Sequence, residues 1–388
     1  MIPVAAKNRA FVYISTQDEL NAYCAAARDC RVVAVDTEFL REKSYFPRLC
    51  LVQVNAGGNI AAIDPIAIKD LSPLSAIFEN PDVVKIFHAC SQDLEVIYDG
   101  MGCICRNVFD TQVAAAFLGH RQQIGYGALV EAYTGVSLAK AEALTDWSRR
   151  PLDPEQLVYA EDDVRYLVDI YESMVSELIE KDRLSWVLPE MEEVSDPVRV
   201  KKNPAEAYLR LKRASSLTRR QLAVAREVCC WREESAAQRD VPRKWLLSDE
   251  VIIELCRRTP TSLPRLRRIR GLEKTPEGDC RQVIAAIERG LRCDADKYPE
   301  ALKQRARSTP DKDGALDLMN AVLRVVADRA GLAPQVIANK DDLSDLLAGT
   351  GDCRLLHGWR HEVAGRPLER LLAGELGLTI KDGRVEIL

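Results

Sequence analysis

Two carboxylates one residue apart, Asp36 and Glu38, close the apolar run Val32–Val35. On an extended chain, residues i and i+2 project to the same face. Like charges side by side at the end of a buried run repel and lose hydration unless a cation lies between them. A hard divalent ion such as Mg²⁺ or Mn²⁺ suits an all-oxygen site. Read alone, the pair is equally an acidic turn where a strand runs into solvent. A metal site needs more carboxylates, and the chain offers them. Asp93 lies just after the run Val83–His88 and opens a helical segment, where a first-turn acid is also a common partner of the helix dipole. Tyr159 and Asp163 stand at i and i+4 and share a helix face. A phenol there can orient a water for attack while keeping its proton. The competing reading is a surface aromatic beside a solvated acidic patch, Glu161–Asp163.

These residues need a scaffold of alternating strands and helices. Phe11–Ile14 reads as a first strand and Thr16–Ala27 as a helix with an acidic first turn. Segments 32–36, 49–54 and 60–64 read as a three-stranded meander, with Gly57-Gly58-Asn59 as a tight turn. A helix around 71–79, a strand over 83–88, a helix from about Ser91 and another starting at Phe109-Asp110-Thr111 follow. The alternation predicts an α/β domain with a mixed sheet. A single helix is predicted over 153–183. Asp153 is its N-cap, Pro154 its first residue and Gln156 closes a capping box. The segment 196–204, DPVRVKKNP, reads as a linker, and beyond it the pattern is helical. Thr218–Gln221 forms a capping box, Ser248 caps a helix, and a polar stretch at 306–314 precedes further helices.

With 388 residues the chain exceeds one ordinary core, and 47% hydrophobic with 29% charged residues is a globular composition. No apolar run reaches the roughly 20 residues of a membrane span. The opening MIPVAAKNRAFVYIS lacks a secretory pattern, so a cytoplasmic protein is expected. None of the 12 cysteines forms a CxxC pair, which speaks against zinc-ribbon and thioredoxin-like chemistry. Charge is unevenly spread: net −14 in 1–196, +12 in 197–310 and −3 in 311–388. An acidic module that holds cations, joined to a basic one that holds an anionic polymer, fits that asymmetry. Solvated helix faces are the alternative.

VDTE at a strand end, HACSQDLEVI, FDTQ and YAEDDVRYL late in a helix together resemble the motifs of DEDD exonucleases, tyrosine subtype. With TEFLREKSYFPRLCLVQV and a basic helical tail, the whole chain resembles the ribonuclease D family. Tyr159 selects Asp163 as the third-motif acid, since Glu161 and Asp162 have Leu157 and Val158 at the matching positions. His88, five residues before Asp93, falls in the second motif and reads as structural.

The resemblance implies a ribonuclease H-like exonuclease domain over 1–196 with a mixed sheet. It also implies two all-α HRDC-like domains, 203–292 and 295–388. It implies two-metal hydrolysis at the RNA 3′ end that releases nucleoside 5′-monophosphates. Asp36 would bridge two divalent ions, Mg²⁺ or Mn²⁺. Glu38 and Asp163 would hold one, Asp93 the other partly through water, and Tyr159 would place the attacking water. Thr37 and Phe39 are candidates for the terminal nucleotide, and Asp110 reads as a helix cap. Lys201, Lys202, Arg265, Arg267, Arg268 and Arg270 are the candidate phosphate contacts. RNA is the expected partner, with 3′-extended tRNA precursors the family's usual substrate; no membrane and no obligate protein partner is implied. A nucleic-acid-binding protein with a dormant nuclease fold, or a single-stranded DNA exonuclease, are the alternatives.

Overall fold

The computed structural model describes residues 10–138, 145–302 and 310–388. Residues 1–9 of the opening stretch and part of the polar stretch 306–314 lie outside them. Among the described residues no helix is long and apolar enough to cross a membrane.

Six strands form the central sheet: β1 (Phe11–Ile14), β2 (Val32–Leu40), β3 (Arg48–Ala56), β4 (Asn59–Ile63), β5 (Val84–Phe87) and β6 (Val108–Asp110). Their order is β1-β4-β3-β2-β5-β6. The β2–β3–β4 meander is antiparallel, while β1 on β4, β5 on β2 and β6 on β5 run parallel. The sheet is therefore mixed, as the alternation predicts. Side chains divide by parity. Val33, Val35, Val52 and Val54 pack into one cluster with helices α1 (Gln17–Ala27), α2 (Ser72–Glu79) and α3 (Ser91–Met101). Ala34 points the other way and packs with Val164 and Leu167. Asp36 and Glu38 continue that second face.

The helix expected over Thr16–Ala27 is α1, with the acidic first turn read from the sequence; Thr16 and Glu19 form a capping box on it, which the sequence reading did not single out. On the second face lie α4 (Thr111–Phe117), α5 (Tyr126–Thr134), α6 (Pro154–Arg165), α7 (Leu167–Glu180) and α8 (Leu184–Val194). Two expectations are corrected here. The helix start read at Phe109 is first a short strand, β6, because its backbone pairs with β5. The single helix expected over 153–183 is two, broken at Tyr166. Side chains from neighbouring elements take the carbonyls at the break. Asn55 Nδ2 donates to the Val164 carbonyl at 3.1 Å, and the Tyr126 hydroxyl to that of Asp162 at 2.8 Å. Such insertions interrupt the helical hydrogen-bond ladder.

A short helix, α9 (Pro197–Val200), leads into the first helical region. This region has its own apolar core. It comprises α10 (Arg219–Arg239), α11 (Arg243–Leu246), α12 (Asp249–Arg258), α13 (Leu263–Leu266) and α14 (Glu277–Leu291). The predicted capping box of Thr218 and Gln221 opens α10, and Ser248 caps α12. A Cβ at Gly290 would meet Val224 Cα at 2.5 Å, so only glycine lets α14 lie this close to α10. Its seam with the sheet domain is polar. Asp240 Oδ1 accepts the backbone N–H of Tyr45 at 3.0 Å and of Phe46 at 3.1 Å, and the Tyr45 hydroxyl donates to Glu233 Oε2 at 3.0 Å.

The last region behaves differently. Its long helix α15 (Pro310–Ala330) shares one apolar cluster with α4, α5, α7 and α8. Trp359 stacks on Trp186 with ring centroids 5.2 Å apart, and Arg360 pairs with Glu190 at 2.6 Å. The all-α expectation for 295–388 is corrected too, because the chain ends in a hairpin of β7 (Leu378–Lys381) and β8 (Arg384–Ile387). Asp382 and Gly383 both have positive φ, the tight turn that an Asp-Gly pair favours.

Candidate active site

Asp36 and Glu38 sit late in β2, half-buried, on the face covered by α6. Cys50 has no strand partner opposite the Glu38/Phe39 step, a bulge beyond which β2–β3 pairing resumes at Phe39 and Leu49. Asp163 reaches the same point from α6. That helix starts as predicted, with Asp153 N–H donating to Gln156 Oε1 at 2.9 Å. Asp36, Glu38 and Asp163 each offer an oxygen within 4.8 Å of the others. Asp163 Oδ2 is buried and has no hydrogen-bond partner. Glu161 and Asp162 turn aside to Arg165, at 2.5 and 3.1 Å, so the register chosen within the three acids places only Asp163 in the cluster.

Asp93 lies in the first turn of α3, 7% exposed. Its Oδ1 accepts the Thr37 hydroxyl at 2.5 Å. It stands outside the three-residue group, yet its charge acts on Asp36, Glu38 and Asp163. The turn before α3 is held by Asp110. Its carboxylate accepts the N–H groups of Ala89 at 3.1 Å and Cys90 at 2.9 Å while capping α4 through Gln112 at 2.8 Å. The cap was legible in the sequence; the second use, which fixes the helix that carries Asp93, was not. His88 is structural: its ring meets Thr111 Oγ1 at 3.0 Å and the Ile124 carbonyl at 2.9 Å.

Electrostatically the cluster is under load. Burial first, then the charges of Asp163 and Asp93, push Glu38 up to about 8. Burial and Asp162 push Asp163 up to about 8, partly offset by the Tyr159 hydroxyl beside it. Asp93 rises to about 6 through burial, against the Thr37 hydrogen bond. Asp36 is pushed well above the carboxylate range by burial and by Asp163, Asp93 and Glu38. Burial and the Asp163 charge also raise Tyr159, so its phenol stays protonated. Tyr126, which sequence reasoning passed over, backs the cluster from α5 and is raised by burial and by Asp163 and Asp36. Buried oxygens without a counter-charge, one of them without any partner, match the donor set of a hard divalent cation. The residues present fit such a group.

The proposed substrate contacts are not all alike. The Thr37 side chain, 5% exposed, is committed to Asp93. Phe39 packs partly into the core beneath β2. Lys201 lies over the Tyr98 ring at 5.8 Å and Lys202 pairs with Glu95, so both hold the linker against α3. Arg265, Arg267, Arg268 and Arg270 are exposed around the end of α13.

Comparison with known proteins agrees with this geometry. Residues 11–179 match the 3′–5′ exonuclease family and residues 221–276 the HRDC domain. The chain is 40% identical to ribonuclease D of Sphingobium indicum, over 96% of this chain and 97% of that one. It is 39% identical to ribonuclease D of Jannaschia sp., over 96% and 98%. The crystal structure of Escherichia coli RNase D superposes with a TM-score of 0.80 at 30% identity, covering 94% of this chain and 99% of that one. By sequence, fold and buried acidic cluster alike, the chain belongs to the ribonuclease D family and is a 3′–5′ exoribonuclease.

Proposed function

We propose that Asp36, Glu38, Asp93 and Asp163 hold two divalent cations, Mg²⁺ or Mn²⁺, and that the enzyme trims the 3′ ends of tRNA precursors. The observation that carries the first part is the convergence of three carboxylates within 4.8 Å in a site where burial raises their pKa values. Bound there, the cations supply the positive charge that the attacking and leaving oxygens of an in-line displacement need.

The protein's own groups do the rest. Asp36 would serve both cations. Glu38 and Asp163 would hold one, and Asp93, whose carboxylate accepts the Thr37 hydroxyl, would help to hold the other partly through water. Tyr159 keeps its proton and donates it in a hydrogen bond that orients the attacking water. The water oxygen bonds to the terminal phosphorus and the P–O3′ bond breaks. The water gives up a proton, the departing 3′ oxygen takes one up, and a nucleoside 5′-monophosphate leaves a shortened RNA with a free 3′ hydroxyl.

The exposed arginines in and after α13, in a segment of net charge +12, are assigned to RNA phosphates. The last region is assigned as a divergent second HRDC-like unit, since α15 and α10 are both 21-residue helices followed by shorter ones. A cytoplasmic setting suits 12 cysteines of which none is joined in a disulfide. The tRNA assignment draws on the similarity to the Escherichia coli enzyme, described as an exoribonuclease involved in structured RNA processing.

The test is digestion of a 3′-extended tRNA beside single-stranded RNA and single-stranded DNA, with Mg²⁺ or Mn²⁺. Stepwise release of nucleoside 5′-monophosphates from the tRNA extension, with DNA left largely intact, is expected. Preferential digestion of DNA would overturn the substrate assignment.

A further inference from the structure

Gln53 is fully buried in the middle of β3, and neither its Oε1 nor its Nε2 has a hydrogen-bond partner. Buried side-chain amides are almost always paired, so an amide with both ends open calls for an explanation. Its position supplies one. Gln53 stands directly opposite Asp36 in the antiparallel β2–β3 register. Directly opposed residues share a face, with Cβ atoms roughly 4.5–5.5 Å apart. Gln53 therefore lies on the acidic side of the sheet. Its neighbours along and across the strands offer it no open partner. Across β4 it meets Ala62, and the preceding same-face residue, Leu51, belongs to an apolar cluster with Ala160. The following one, Asn55, is engaged with the Val164 carbonyl. Asp163 Oδ2, on the helix above, is also buried and unpartnered. Open donors and acceptors thus gather on both sides of Asp36.

We propose that Gln53 is a positioning residue of the acidic cluster, its amide N–H holding the Asp36 carboxylate in the orientation that binds a divalent cation. This rests on the reading of Asp36 as a cation ligand. A ligating carboxylate is usually steadied by a hydrogen bond from behind, and loss of that bond costs about 10–100-fold in metal affinity.

The experiment is a titration of Mn²⁺ into chelator-stripped protein, read by calorimetry and by the rise in melting temperature, for the wild type, Gln53→Met, Gln53→Asn and Asp36→Asn. Methionine keeps the side chain's length and removes both unpaired polar groups, so the metal-free fold should be as stable as the wild type or more so. The apparent Mn²⁺ affinity should nevertheless fall about 10-fold or more. RNA hydrolysis should fall at low Mn²⁺ and recover at high Mn²⁺. Gln53→Asn, which keeps the amide but withdraws it by one carbon, should lose affinity in the same direction and covers the case in which Gln53→Met does not fold. Wild-type Mn²⁺ affinity in a folded Gln53 variant would overturn the proposal. Wild-type affinity in Asp36→Asn would instead overturn the cation site on which it rests.

Discussion

Two groups of buried acids lie on the same sheet domain and meet opposite conditions. Asp64, 2% exposed at the end of β4, is embraced by Arg150, whose Nε and Nη2 donate to its two oxygens at 2.6 and 2.8 Å. The Tyr13 hydroxyl and the Ile66 N–H complete its shell at 2.5 and 2.9 Å. Burial alone would push its pKa up, but these partners hold it below the usual range. Arg150 also donates to the Cys50 carbonyl, at the bulge beside Glu38, at 2.7 Å and to the Trp147 carbonyl at 2.8 Å. It thereby fixes the segment that leads into α6. The cluster of Asp36, Glu38, Asp93 and Asp163, in which only Asp93 is buried as deeply, has no such guanidinium, and every member is raised. One site carries its counter-charge in the sequence. The other carries none among the described residues, and under the proposed function it would take one from solution.

The sharpest way to break the comparison is to neutralise single acids. Asp36→Asn or Asp163→Asn should lower the hydrolysis rate by about three orders of magnitude, ~4 kcal/mol of transition-state stabilisation, in a single-turnover assay. A rate within about tenfold of wild type would remove the cluster from the chemistry.

The structural pair should fail in the opposite manner. Arg150→Met strands a buried Asp64 and should cost about 3–5 kcal/mol of unfolding free energy. Denaturant melts would show it, and a further Asp64→Leu change should restore much of the loss. Unchanged stability in Arg150→Met would erase the contrast.

The pH dependence of the metal-free fold has opposite signs at the two sites. Cluster acids hold protons in the folded state that the unfolded chain has released, so this contribution is lost as pH rises from about 4 to about 8. The depressed Asp64 contributes above the unfolded value and loses that contribution as pH falls through its folded pKa. The melting temperature of chelator-treated protein should drop by about 3–6 °C between pH 6 and pH 8, and Mn²⁺ should reverse the drop. In Asp163→Asn the drop should shrink.

The smallest effect concerns cations that neither buried site uses. Replacing Arg265, Arg267, Arg268 and Arg270 by alanine should weaken single-stranded RNA binding several-fold. It should also flatten the salt dependence, by about 0.7 in slope for each phosphate no longer neutralised. Hydrolysis of a dinucleotide too short to reach them should be unaffected.

What the sequence revealed follows local geometry. Asp36 with Glu38, and Tyr159 with Asp163, are spaced at the periods of a strand and a helix, so their shared faces could be read directly. The caps at Asp153, Thr218 and Ser248 are also local, and each is present. What escaped depends on register and on contacts between distant segments. VQV reads as any buried strand, and only the pairing of β3 with β2 sets Gln53 beside Asp36. Asp110 shows its cap in the sequence but not its hold on Ala89 and Cys90. The break at Tyr166 comes from side chains of β3 and α5 that no helical period records. Periodicity marked both tails as amphipathic helices. It could not tell that the first closes its own core while the last completes that of the nuclease domain.

The central claim is that the raised acids exist to bind a divalent cation. Calorimetric titration of Mn²⁺ into chelator-stripped enzyme at pH 7, in buffers of different ionisation enthalpy, tests it most directly. The account predicts saturable binding with proton release in the wild type, because cation and proton compete for Glu38 and Asp163. It predicts that both are lost or strongly weakened in Asp163→Asn. Absence of saturable binding in the wild type, or binding and proton release unchanged in Asp163→Asn, would contradict it.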